Sequence, residues 1–164
     1  AWIWERIRQI APQAVCILDF YHASEHLQAL ARALDGPDEV GAESRCVRWR
    51  SALKQSRLQD VLEEALRDRP RSGVRRAAAM AEIGYFENNR SRMDYRRYRE
   101  KGWFIGSGVV EAGCKSVIGS RMKQSGMFWG EAGAEAMLGL RCVYKSNLYQ
   151  SCWNTAYPAP ARSA

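Results

Sequence analysis

Apolar residues recur three and four positions apart along most of the chain, and each such run predicts a helix. Ile3, Ile7 and Ile10 share one face of a helix over 2–10, which Pro12 stops. The next run, 14–18 (Ala-Val-Cys-Ile-Leu), is continuous and of strand length. A run apolar on both faces belongs inside a covered sheet, so a buried strand is expected there. Helical spacing resumes over 20–34 with Leu27, Leu30, Ala31 and Leu34, giving an opening unit of helix, buried strand, helix. Asp35-Gly36-Pro37-Asp38 then breaks the chain.

From 43 to 69 the spacing of Trp49, Leu53, Leu58, Val61, Leu62, Ala65 and Leu66 is again helical, and Pro70 to Gly73 punctuates it. Another helix over 74–88 leads into the basic stretch 90–99. No strand is expected between 43 and 101. Further on, Gly106 and Gly108 flank Ser107, a good N-cap, and Glu111 falls in the first turns of the helix that follows. Val110, Cys114, Val117 and Ile118 predict a buried stripe on that helix, which should run to about residue 119. A basic, glycine-broken connection follows over 121–129. Ala132, Ala136, Met137, Leu140 and Tyr144 mark a last amphipathic helix, and Trp153 is expected to pack back on the body. Residues 157–164 read as a disordered tail.

The 164 residues suffice for one ordinary domain. The net charge of +7 lies wholly in the middle: residues 42–101 hold 16 Lys/Arg against 9 Asp/Glu, and the remainder balances at 9 against 9. Such a segment is either a solvated helix surface or a phosphate-binding face, and charge alone does not choose. Five scattered cysteines without a C-x-x-C pair argue for reduced thiols. No apolar run approaches membrane-spanning length, so no membrane partner is expected.

Several residue groups could carry chemistry. Asp19 and His22 stand at the carboxyl end of the expected strand, where open α/β sheets keep their sites; the plainer alternative is an Asp that caps the next helix. His22 and His26, four apart, could share a metal, but the four ligands of a closed zinc site do not assemble at suitable spacing. Glu111 and Lys115 could form a surface pair worth a few tenths of a kcal/mol. In Tyr95-Arg96-Arg97-Tyr98-Arg99 the arginines suit phosphates, and the tyrosines either stack on unpaired bases or pack inward.

A set of short motifs occurs in order: Leu18-Asp19-Phe20-Tyr21-His22-Ala23, Glu25-His26-Leu27, Tyr85-Phe86, Arg92-Met93-Asp94-Tyr95, the block Gly106 to Lys115, Arg121 to Met127 with Trp129, and Leu140-Arg141-Cys142. Together they resemble bacterial insertion-sequence transposases of the Mutator-like DDE superfamily, ISKra type. The resemblance implies a mainly α chain with a short β element, the C-terminal part of a ribonuclease H-like α/β domain interrupted by an all-helical insertion. Its divisions would be a partial core over 1–35, a basic helical insertion over 36–101, C-terminal core helices over 102–150 and a tail over 151–164.

By resemblance Glu111 is the third catalytic carboxylate and a ligand of Mg²⁺ or Mn²⁺, while Asp19 and His22 form a secondary signature; a rival alignment makes Asp19 the second catalytic Asp. The first two acids would precede Ala1, so a fragment that holds no metal pair and is inactive alone is expected. Arg92, Arg96, Arg97, Arg99, Lys115, Arg121 and Lys123 are the expected contacts to DNA, both transposon ends and target. The resemblance also allows a homo-oligomer, and places the protein in the bacterial cytoplasm, on the nucleoid when bound. Two non-enzymatic readings compete: a remnant or domesticated DNA-binding module, and a helical protein-interaction domain.

Overall fold

The computed structural model describes residues 2–158. They fall into two compact units that divide between Ser107 and Gly108. In the first, α1 (Trp2–Ile10), α2 (Phe20–Asp35), α3 (Glu39–Lys54), α4 (Leu58–Asp68) and α5 (Gly73–Asn89) lead through a 3₁₀ turn at Arg90–Arg92 to α6 (Tyr95–Glu100).

Helix α2 is the axis of this unit and packs against α3, α4 and α5. Its buried face carries Phe20, Ala23, Leu27, Leu30, Ala31 and Leu34, at the spacing that a helical stripe requires. Facing them are Cys46, Trp49 and Leu53 of α3, Val61, Leu62 and Ala65 of α4, and Ala79, Ile83 and Phe86 of α5. Each fully buried Leu or Phe contributes about 1.5–3 kcal/mol relative to exposure.

The turns are fixed by chemistry visible in the chain. Asp38 caps α3 by accepting from the Gly41 N–H at 2.9 Å. At the other side of that turn Gly36 has φ +68°, and a Cβ there would meet the Arg75 guanidinium at 2.6 Å. Arg75 donates to the carbonyls of Ala33 and Leu34, filling the end of α2 where backbone acceptors have no helical partner.

The expected fold class is not formed. Among the described residues there is no strand, so the ribonuclease H-like sheet is absent. Residues 14–19 have no regular secondary structure, and backbone groups there are met singly: Leu18 N–H donates to Arg92 O at 3.0 Å, and Phe20 N–H to Ile105 O at 2.8 Å. The run is not buried on both faces either, since Val15 is exposed and Leu18 buried. The stretch 43–69 divides into α3 and α4 at Ser56, whose φ of +59° turns the corner. Helix α1 forms as its spacing predicts, yet Ile3 and Ile10 of its apolar face are exposed.

The second unit contains α7 (Gly108–Gly113), a π-helical segment at Cys114–Gly119, α8 (Ser120–Met122), α9 (Glu131–Lys145) and α10 (Tyr149–Ala156). None of these elements has a buried residue. The expected buried stripe fails because the π-helical segment interrupts the 3.6-residue period, so residues before and after it no longer share a face. Val110 is exposed at 68%. Carbonyls that the widened segment leaves open are taken by Arg141 of α9, which donates to Val117 O at 2.6 Å and to Ser116 O. Trp153, expected to pack back on the body, is half exposed, stacked on Tyr149 and tilted against Tyr157. Of the expected tail, 159–164 lies outside the described residues.

Candidate nucleic-acid interface

Helix α6 is six residues long and would be marginal alone; its neighbours hold it at both ends. At its start the Asp94 carboxylate accepts from the Arg97 N–H, and the Ser56 hydroxyl donates to Asp94 at 2.7 Å while accepting from the Arg96 N–H at 3.0 Å. At its end Gly102, with φ +70°, lets the chain fold back so that Trp103 N–H reaches Tyr98 O at 2.9 Å and Gly102 N–H reaches Arg99 O at 2.9 Å. This is the glycine-terminated helix end in which the following apolar residue packs on the last turn. Here that contact is Trp103 stacked on Tyr98, centroids 6.0 Å apart.

The two tyrosines resolve the choice left open by their spacing. Tyr95 is wholly buried and meets Phe20 edge-on at 5.3 Å, and Tyr98 is 4% exposed. Burial pushes the Tyr95 hydroxyl well above its ordinary range. Both are core. With them inward, Arg96, Arg97 and Arg99 are exposed. Arg96 pairs with Glu100 at 2.9 Å, and neither Arg97 nor Arg99 has an ion pair among the described residues. Arg92 is only half exposed: it lies over the Trp4 ring at 4.6 Å and donates to Asn89 at 3.0 Å.

Some arginines elsewhere in the first unit are engaged internally. Arg45 donates to Asp35 at 2.9 Å and to Glu64 and Asp68 at 2.8 Å, and Arg48 joins Glu64 at 2.7 Å. Burial pushes Glu64 up, but the Trp49 indole N–H and Arg48 bring it below its ordinary range; Arg45 holds Asp68 low. Arg96, Arg97 and Arg99 thus form one exposed basic stretch on α6, while Arg8, Arg32 and Arg71 are exposed elsewhere in the same unit.

Asp19 serves as the N-cap of α2, accepting from the His22 N–H at 2.7 Å, and its second oxygen accepts from the Ser107 N–H. Burial raises this carboxyl, and the hydrogen bonds outweigh it, leaving the pKa lowered. His22 approaches Glu25 at 3.3 Å, while His26 bonds Glu82 at 2.6 Å and stacks on Tyr85 at 3.6 Å. Burial, with the charges of Glu82 and Asp19, pushes Tyr85 up to about 12. No group of three or more His, Cys, Asp or Glu among the described residues could hold a metal ion.

In the second unit, Glu111 and Lys115 are exposed on α7 and the π-helical segment. Arg121 lies over the Trp129 ring at 5.9 Å, and Lys123 is exposed. The sequence reading passed over the aromatic pairs Trp103-Phe104 and Phe128-Trp129. Two adjacent large aromatics directly after a basic stretch and a glycine were the available signal.

No family model, curated protein or solved structure matches the chain. The transposase resemblance is thereby corrected. Its motifs are short, and the residues that carry them fold here into helices without the sheet that a DDE domain is built on. Glu111 joins no metal-holding group among the described residues, so the DDE reading and the metal-dependent strand transfer derived from it fall as well. No described helix is long and apolar enough to cross a membrane.

Proposed function

We propose that the chain is a non-catalytic helical module that binds nucleic acid through the solvent face of α6. One observation carries this reading: burial of Tyr95 and Tyr98 turns Arg96, Arg97 and Arg99 outward together, and Glu100 is their one ion-pair partner among the described residues. Guanidinium groups in such an array suit phosphate oxygens, because each offers a planar fork of donors. Contacts of this kind set affinity and carry no base preference.

The test is the salt dependence of binding to a labelled duplex. Phosphate contacts release counterions, so affinity should fall steeply as salt rises, and replacing Arg96, Arg97 and Arg99 together with Gln should flatten the slope by up to about three units. An unchanged slope would overturn the proposal. A second reading, protein interaction, is favoured by the second unit, which exposes Val110, Leu140, Tyr144, Leu148 and Trp153. It predicts self-association by light scattering that is insensitive to the arginine replacements.

A further inference from the structure

Each unit places a Trp and a Phe side by side shortly after basic residues and a glycine at positive φ, in the order Trp-Phe in the first and, after Met127, Phe-Trp in the second. In the first, a basic helix end is followed by Gly102 at φ +70° and then Trp103-Phe104, with the Lys101 ammonium 4.8 Å from the centroid of the Trp103 ring. In the second, Arg121 and Lys123 are followed by Gly126 at φ +77° and then Phe128-Trp129, with Arg121 over the Trp129 ring at 5.9 Å. In both, the tryptophan is engaged by a cation. Both phenylalanines are left outward: Phe104 is 73% exposed and Phe128 97%. Neither has an aromatic or cationic partner among the described residues.

An exposed phenylalanine by itself is ordinary. Phe104 differs because its backbone is held on both sides: Trp103 N–H donates to Tyr98 O at 2.9 Å, and Ile105 O accepts from Phe20 N–H at 2.8 Å. The ring is thus presented on an anchored chain, five positions after Arg99 and three after Lys101. Aromatic faces beside backbone-binding cations suit unpaired bases, since every base has a face to stack and none is exposed in a duplex interior.

We propose that Phe104 and Phe128 are base-stacking residues, so that the preferred ligand is single-stranded nucleic acid. This rests on the nucleic-acid reading of α6 and adds the strand preference to it. The experiment compares anisotropy titrations of an oligothymidylate of about 15 nucleotides with a duplex of the same length, for the full chain, F104A, F128A and the double variant. Both rings are exposed, so the variants should keep the parent's circular dichroism and melting. The parent should favour the single strand, each Ala variant should weaken that binding by about fivefold or more, and duplex binding should change by less than about twofold. Replacement of Phe104 by Tyr should restore the affinity, because a flat ring is what is required.

If the parent binds single strand and duplex alike and the Ala variants change nothing, stacking is wrong while the α6 reading stands. If the parent binds neither, both are wrong.

Discussion

The first unit closes a core and the second does not, although both were read from the same kind of helical spacing. Trp49, Leu53, Phe86 and Tyr95 are almost wholly buried in the first, whereas no element of the second has a buried residue. The difference lies in the partners. Helix α2 meets apolar faces on three other helices, so its stripe is covered all along its length. Helix α9 packs with α10 and the π-helical segment, and Leu140 and Tyr144 stay in water. An amphipathic pattern states that a face exists; only a second and a third face can remove it from solvent.

The largest expected effect tests that contrast directly. Trp49→Ala should destabilise the first unit by about 3–5 kcal/mol in denaturant melts, because it opens a large cavity and also removes the indole donor to Glu64. Leu140→Ala, half exposed in the second unit, should change stability by no more than about 0.5 kcal/mol. Comparable losses at the two sites would mean that the second unit has a core after all.

Next in size is the charge cluster between α3 and α4. Arg45→Ala leaves Asp35, Glu64 and Asp68 facing one another, at a cost of about 2 kcal/mol, below the roughly 3–5 of a fully buried pair since these carboxylates still reach water. Glu64 and Asp68 have lowered folded-state pKa values, so their contribution is complete above the ordinary values of 4.5 and 3.8 and is lost as pH falls through the lower folded ones. Acid titration of stability should therefore bend downward below about pH 4.5, and Arg45→Ala should remove the part of that bend due to Asp68 while leaving the part due to Glu64, which Trp49 and Arg48 hold. A parent whose melting stays level to pH 3 would contradict the ion-pair account.

A smaller effect belongs to the second unit. Arg141→Ala withdraws the donors to the Ser116 and Val117 carbonyls and should cost about 1 kcal/mol, seen as faster amide exchange across 114–120. Unaltered exchange would show that the widened helical segment holds without Arg141.

The helices were largely legible in the sequence. Gly36 and Pro37 in the first break and Pro70 to Gly73 before α5 are local signals whose physics is complete within a few residues, whereas α3 starts at Glu39, ahead of the spacing expected from 43. The corner at Ser56 was not legible, because a non-glycine residue at positive φ has no sequence mark and is held by tertiary contacts with Asp94 and α6. The run 14–18 illustrates the opposite error. Its composition suits a strand, but a strand needs a neighbour, and no run of residues contains its own neighbour.

At the candidate interface the division is similar. That Tyr95 to Arg99 interleaves rings and cations is written in the chain; which of the two faces outward was decided by Phe20, against which Tyr95 packs. Likewise the central excess of charge is a property of the sequence, but its distribution is tertiary. Arg45 and Arg75 are engaged by carboxylates and helix carbonyls, while Arg97 and Arg99 are exposed without an ion pair among the described residues. The sequence by itself determined the breaks at 35–38 and 70–73 and how much charge the chain carries, because turn chemistry and net charge are local or additive. Burial, ion pairing and the fate of the run 14–18 were settled only when distant faces met, since each depends on atoms that the chain brings together from many residues apart.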